Sequence, residues 1–129
     1  MPTRGQRCYD ITAPVAEWVR REELSDGLLC AFVTHTTASL TIQENADARV
    51  QDDLVSALDR LAPPDAPYTH NDEGPDDMPG HIKAMMCGAN VALPCAAGRL
   101  ALGVWQALYL LEHRNRARTR TVHLTFVGR

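Results

Sequence analysis

Residues 28–43 read LLCAFVTHTTASLTIQ, and this stretch decides the fold class because it holds two strands separated by a polar turn. Residues 28–34 are a continuous apolar run of strand length, which is typical of a strand buried on both faces. Residues 38–43 alternate apolar and polar side chains, which is typical of a strand with one buried face. The turn between them begins with His35, so the sequence predicts a histidine at the end of a buried strand.

The sequence on either side of this pair predicts helices and further strands. Apolar residues recur at helical spacing from about Asp47 to Leu61. Thr12 is placed to cap an earlier helix that has Pro14 in its first turn. We predict one α+β domain over residues 1–129, with a mostly antiparallel sheet packed with two or three helices. The other predicted elements are strands at 8–12, 90–95, 100–111 and 120–127 and a short helix from about Pro79 to Cys87, with Asp77 as its cap.

The segment at residues 100–111 also indicates an oligomer. It carries bulky apolar side chains on both faces, whereas a strand with one solvated face needs them on one face only. We therefore predict that one face packs on the domain core and the other on a neighbouring subunit.

Composition limits the class of protein and its partners. The chain has 129 residues, of which 45% are hydrophobic and 22% charged, the balance of one globular domain. A formal charge of −3 without a long basic stripe argues against a nucleic-acid partner, and no segment is apolar enough to indicate a membrane partner. The four cysteines are scattered without a Cys-x-x-Cys pair, and the N-terminus does not resemble a signal peptide. We therefore predict reduced thiols and a cytoplasmic location.

A long polar loop at residues 63–80 and the residue after it hold most of the groups that can bind or catalyse. It reads PPDAPYTHNDEGPDDMPG, contains His70 and four carboxylates near it, and runs directly into His81. Loops of this length in compact domains are usually functional or disordered. Imidazole nitrogen is the commonest protein ligand for zinc, and nearby carboxylates can orient the rings. The loop therefore favours a metal-assisted site over the alternative, a solvated acidic loop.

His35 and the hydroxyl residues after it are the second candidate constellation. An imidazole at a strand end is held rigidly and faces a crevice, where hydroxyls such as that of Thr36 can bind an oxyanion. The alternative is an ordinary turn histidine. His113 and His123 have no polar motif around them, and we predict that both are structural or surface residues.

Several other polar residues are placed near such a crevice. His81 and Lys83 fall in the first turn of the predicted short helix, where free amides favour phosphate, although Lys83 is equally consistent with a surface charge. Gln106 is a polar side chain in an apolar strand and needs a hydrogen-bond partner, so it could face a site. Glu44 and Asn45 could reach the crevice or cap the following helix.

The order of these motifs resembles the YjbQ-like family, whose members are often described as secondary thiamine-phosphate synthases. The resemblance covers the chain from about Cys8 to Gly128. It is carried by His35 to Leu40, Glu44-Asn45, His70, Glu73-Gly74, Asp76 to Pro79, His81 to Lys83, Gly103, Trp105-Gln106, Arg120 and Gly128, in this order.

The resemblance implies an α+β domain assembled as a homotrimer, with a divalent metal, in appearance zinc, in a crevice between subunits. The implied substrate is a phosphorylated small molecule. Carried onto this chain, the resemblance implies metal ligands His35, His70 and His81, with Glu44, Asp77 and Arg120 nearby. We predict catalytic roles for Glu44, Asp77 and Arg120. We also predict four substrate-binding residues, Thr36, Asn45, Lys83 and Gln106.

The implied activity is a transferase reaction that joins a pyrimidine methyl diphosphate to a thiazole phosphate and gives thiamine phosphate as a secondary activity. The cation would clamp a phosphate and neutralise charge on the leaving oxygens. Two alternatives stay open, a metal-dependent phosphate-ester hydrolase and a non-catalytic module that binds a metal or a phosphorylated metabolite. Where the family commonly has serines around His-Ile-Lys and a threonine before the tryptophan, this chain has Gly80, Ala84, Met85 and Val104, which favours a different or more weakly bound substrate.

Overall fold

Three helices and nine strands make up the fold, and the computed structural model describes all residues from 1 to 129. Every strand pairing is antiparallel, so the predicted α+β class with a mostly antiparallel sheet is confirmed. The elements are β1 (Pro2–Arg4), β2 (Arg7–Asp10), α1 (Thr12–Arg21), β3 (Gly27–Val33), β4 (Ala38–Glu44), α2 (Ala48–Leu61), α3 (Asp77–Cys87), β5 (Asn90–Ala96), β6 (Arg99–Leu100), β7 (Gln106–Glu112), β8 (Ala117–Thr119) and β9 (Val122–Gly128).

The strands form two main sheets and one short ribbon. The first sheet has the order β6-β5-β3-β9, the second has the order β2-β7-β4, and β1 pairs with β8. The hydrophobic core draws on both main sheets, with Leu29 from β3 and Leu108 from β7, and on α1, with Val19. None of the three helices has the length and apolar character needed to cross a lipid bilayer.

The apolar run at residues 100–111 is not one strand, so this prediction is wrong. β6 ends at Leu100, and β7 begins only at Gln106. Gly103 interrupts the run, because its amide donates to the Gln106 side chain at 2.8 Å while its carbonyl accepts from the Gln106 amide at 3.0 Å. Trp105 therefore lies outside the sheet, with 65% of its surface exposed.

Both faces of β7 are buried within this one chain. The prediction that one face of this segment packs on a neighbouring subunit is therefore wrong. Leu108 and Leu110 point into the hydrophobic core. Tyr109, on the opposite face, lies next to α2, where the Gln51 side chain donates a hydrogen bond to its hydroxyl at 3.2 Å. The second face of β7 therefore needs no neighbouring subunit.

An apolar surface does remain on the outside of the first sheet. Leu28 and Phe32 alternate with the buried residues of β3, and Leu28 lies opposite Val127 of β9. Leu28 and Phe32 are nearly half exposed, and Val127 is 71% exposed. We call the surface formed by Leu28, Phe32 and Val127 the outer face.

Candidate metal centre

Two imidazoles converge on one carboxylate oxygen at the start of α3. His70 Nε2 lies 2.8 Å and His81 Nε2 lies 3.3 Å from Oδ2 of Asp77. One ligand atom from each of the three residues lies within 4.8 Å of the others. Asp77 and His81 are four residues apart on α3 and so share one face of the helix, whereas His70 comes from the loop before it.

Arg114 holds the other oxygen of this carboxylate. Its Nη1 donates to Asp77 Oδ1 at 2.6 Å, and its Nη2 donates to the backbone carbonyl of Glu73 at 2.8 Å. Its Nε lies 3.2 Å from Oδ2 of Asp76. Arg114 follows the end of β7, so it ties the loop and the start of α3 to the second sheet. It was not among the predicted site residues, and the sequence around it carries no signal that links it to the loop.

Two glycines allow this arrangement. Gly74 has φ of +103°, a left-handed conformation that side chains disfavour, and it lies in the turn between Glu73 and Asp76. Gly80 faces Thr37, and a Cβ there would lie 3.1 Å from the threonine side chain. The absence of a side chain at Gly80 therefore lets α3 approach the start of β4 closely.

The electrostatics of the cluster favour shared protons or a shared cation. The hydrogen bond to Asp77 raises the pKa of His70, and a second bond to Glu73 acts in the same direction. Burial tends to raise the pKa of Asp77, but the hydrogen bond from His70 and the charges of His81 and Arg114 outweigh burial and lower it. Asp77 is only 3% exposed, so water does little to stabilise its negative charge, and positively charged neighbours must do so instead.

The donor set of this cluster fits a divalent cation. Catalytic zinc commonly takes two histidines and a carboxylate and keeps a further position open. Bonds of about 2.0–2.2 Å place the ligand atoms of one ion roughly 3–4 Å apart, close to the two Nε2–Oδ2 distances here. His70, His81 and Asp77 are therefore the residues that can hold a metal in this chain.

His35, the third predicted ligand, lies outside this cluster. It follows β3, and its Nε2 accepts a hydrogen bond from the backbone amide of Thr121 at 2.8 Å. Burial lowers the pKa of His35, and the charge of Arg120 acts in the same direction. Within one chain, the structure brings together two of the three predicted ligands and adds Asp77, which was predicted as a catalytic residue.

Arg120, also predicted to be catalytic, lies in a buried ion pair. Its Nε donates to Glu112 at 2.8 Å, and its Nη2 donates to Thr37 Oγ1 at 2.9 Å and to the Thr37 carbonyl at 3.1 Å. Thr3 donates a further hydrogen bond to Glu112. The neighbouring Thr36, predicted to bind substrate, is exposed, so the buried hydroxyl of this turn is that of Thr37.

Glu44, Asn45 and Gln106 lie at the other end of the second sheet. Glu44 is opposite Gln106 in the register of β4 and β7, whereas Ala38 is opposite Glu112. Six residues of strand separate these pairs, which corresponds to about 20 Å. One carboxylate oxygen of Glu44 is buried and has no hydrogen-bond partner. The structure therefore does not bring these three residues to the histidines of the same chain.

Lys83 is buried and lies in the second turn of α3, which corrects its predicted position. The helix begins at Asp77 rather than near Pro79, so His81 and Lys83 do not lie in its first turn. The Lys83 Nζ contacts Asp59 of α2 at 2.6 Å. The first turn of α3 instead carries the Asp77 carboxylate, which disfavours an anion there.

Known proteins resemble this chain along its length. Residues 1–129 match the model of the family described as UPF0047 protein YjbQ-like. A UPF0047 protein of Synechocystis sp. is 40% identical over 121 residues, which covers 93% of this chain and 82% of that protein. A UPF0047 protein YjbQ of Salmonella typhimurium is 43% identical over 102 residues, which covers 79% of this chain and 74% of that protein.

Solved structures share the fold. A conserved hypothetical protein from Thermus thermophilus has a TM-score of 0.88 at 35% identity, covering 98% of this chain and 96% of that one. An uncharacterized conserved protein of the yjbq/upf0047 family from Clostridium acetobutylicum has a TM-score of 0.87 at 32% identity, covering 98% of each chain. Both the match over all 129 residues and these relatives confirm what the order of the motifs predicted, and the chain belongs to the UPF0047, or YjbQ-like, family.

Proposed function

We propose that this protein is a metal-dependent enzyme that acts on phosphorylated small molecules and binds its cation through His70, His81 and Asp77. The observation that carries the proposal is the convergence of two imidazole nitrogens on one buried carboxylate oxygen. Zinc is the cation that this donor set suits best. When bound, it would supply positive charge to the leaving oxygens of a phosphate or diphosphate.

The residues around the cluster have separate tasks in this proposal. Arg114 fixes the Asp77 carboxylate, so that its other oxygen stays directed at the two imidazoles. Glu73 is exposed and its carboxylate lies 3.1 Å from His70 Nε2, so it is placed to accept a proton from a substrate bound beside the cation. Charged and polar groups that are already oriented lower the activation barrier of a reaction, because they need not rearrange to stabilise the transition state.

Within this class, we propose the transferase reaction that the family resemblance implies. A pyrimidine methyl diphosphate and a thiazole phosphate would be joined to give thiamine phosphate, with release of diphosphate. Incubation of the purified protein with both precursors and zinc tests this reaction. A folded, zinc-loaded protein that gives no product above background would contradict the reaction, while hydrolysis of phosphate esters by the same sample would support a hydrolase in its place.

We also propose that the protein assembles as a homotrimer and works in the cytoplasm. The apolar outer face supports assembly, because contiguous exposed apolar side chains mark interaction surfaces. The distance of Glu44, Asn45 and Gln106 from the histidines supports a site shared between copies, since a second copy can supply what one chain keeps apart. The four free thiols support a reducing compartment. The mass of the protein in solution tests the assembly.

Substitution of either histidine tests the proposed ligands. We expect His70→Ala and His81→Ala each to lower bound zinc at least tenfold while leaving the fold intact, because each removes one of three ligands. Elemental analysis and zinc titration of the purified variants measure the loss. His123→Ala is the matched control, because His123 is exposed on β9 and lies in no cluster of potential ligands. Full zinc occupancy in either cluster variant would show that the ligand assignment is wrong.

A further inference from the structure

A polar cavity of about 510 Å³ lies next to the candidate metal centre. Its walls are residues 73–76 of the loop, residues 114–116, which follow β7, and Arg118 of β8. Charged residues, an asparagine, a glycine and a proline line it, and no hydrophobic side chain does. Its volume lies in the range of small-molecule sites. The cavity therefore fits a small, highly polar ligand.

Two of the three arginines that line this cavity have no acidic partner. Arg114 is engaged with Asp76 and Asp77. Arg116 and Arg118 lie within ion-pair distance of no carboxylate, and Nε of Arg118 is buried without a hydrogen-bond acceptor. A buried donor without an acceptor is unfavourable, so the Arg118 guanidinium, which lines the cavity, is not fully satisfied by the protein itself.

The carboxylates that line the cavity already have donors of their own. Asp76 Oδ2 accepts from the backbone amide of Asn115 at 2.7 Å and lies next to Arg114. Glu73 is bonded to His70. Three arginines and two carboxylates line the cavity, so its lining has a net positive charge, and Arg116 and Arg118 are the cations in it without an ion-pair partner. The cavity therefore favours an anion.

We propose that Arg116 and Arg118 bind a phosphate or diphosphate group in this cavity. A guanidinium presents paired N–H donors that match the oxygens of a phosphate, and bonds between charged groups are the strong ones. Glu73 lines the cavity and also contacts His70, so the bound anion lies directly beside the candidate metal centre. The assignment of this anion to the substrate rests on the proposed function, whereas the anion site itself does not.

Calorimetric titration with inorganic pyrophosphate tests the site. We expect wild type to bind pyrophosphate, and Arg116→Gln and Arg118→Gln each to weaken that binding about tenfold, since each removes a charged hydrogen bond. Arg99→Gln is the control, because it removes the same charge from β6, which does not line the cavity. Arg116 is exposed, so Arg116→Gln retains the fold even if Arg118→Gln does not.

The His70→Ala variant separates this proposal from the metal centre. It should still bind pyrophosphate, because its two arginines are intact. Arginine variants that bind pyrophosphate as wild type does, or a wild type that does not bind it at millimolar concentration, would overturn the anion site. If His70→Ala still binds zinc while the arginine variants bind pyrophosphate more weakly, the ligand assignment is wrong and the anion site is supported.

Discussion

Arg120→Met is expected to reduce the free energy of unfolding by about 3–5 kcal/mol, because it leaves a buried charge without its partner. Glu112 is almost fully buried and receives hydrogen bonds from Arg120 and Thr3. Without the guanidinium, the buried carboxylate keeps hydrogen bonds from Thr3 and the Arg114 amide but has lost its opposite charge, so it stays uncompensated or must take up a proton. Urea unfolding of wild type and variant, followed by circular dichroism, measures the difference.

Two further variants show whether the loss comes from the unpaired charge. In Glu112→Leu/Arg120→Met both charges are absent, and stability should recover by several kcal/mol relative to Arg120→Met. Arg20→Met removes an exposed arginine from its ion pair with Glu17 and should leave stability close to that of wild type, because solvent screens such pairs. An Arg120→Met protein that is as stable as wild type but inactive would support the catalytic role predicted from the sequence instead.

Acidification from pH 6.5 to about pH 4 is expected to reduce the free energy of unfolding by about 3 kcal/mol through His113 alone. This side chain is 2% exposed, and its Nε2 lies 2.8 Å from Ser39 Oγ. Burial lowers the pKa of His113 to about 4, and the positive charge of Lys83 acts in the same direction. The unfolded imidazole takes up its proton near pH 6.5, whereas the folded one stays neutral until about pH 4, so stability falls as the pH falls through this window.

The His113→Gln variant isolates this contribution from the carboxylates that titrate in the same range. Its stability should vary less with pH between 6.5 and 4 than that of wild type, with a difference in slope of about 1.4 kcal/mol per pH unit. His123→Gln makes the same substitution at an exposed histidine of β9 and is the matched control. Equal slopes for His113→Gln and wild type would contradict a neutral buried imidazole.

The elements with strong periodicity were predictable from the sequence, and those that depend on distant pairing were not. β3, β4 and α2 lie where their apolar patterns predicted, within one or two residues. β1 and β8 were missed because each has three residues, too few to show a period. They pair with each other, Pro2 opposite Thr119, and so depend on residues at opposite ends of the chain.

The residues of the candidate site that are close in sequence were also predictable, and those that come from distant parts of the chain were not. His70, Asp77 and His81 are close in sequence, so the density of ligand types drew attention to all three, although Asp77 was predicted as a catalytic residue rather than a ligand. Arg114 enters from the end of β7 and was missed, because nothing in its local sequence encodes that approach. His35 could be recognised by its chemistry, but only the fold shows that its Nε2 faces the Thr121 amide.

The hydrogen bonds that converge on Asp77 also bear on whether the folded chain could release a metal ion and bind it again. Arg114 donates a hydrogen bond to one oxygen of the carboxylate, and His70 is hydrogen-bonded to the other. Protein contacts alone therefore keep the donor atoms near one another, and the proton between His70 and Asp77 would leave when the ion binds. Such preorganisation reduces the ordering that binding requires. In many small zinc modules the chain folds only when the metal binds. Here we expect folding and metal uptake to be separable, so that a chelator would empty a centre whose scaffold persists and can be reloaded.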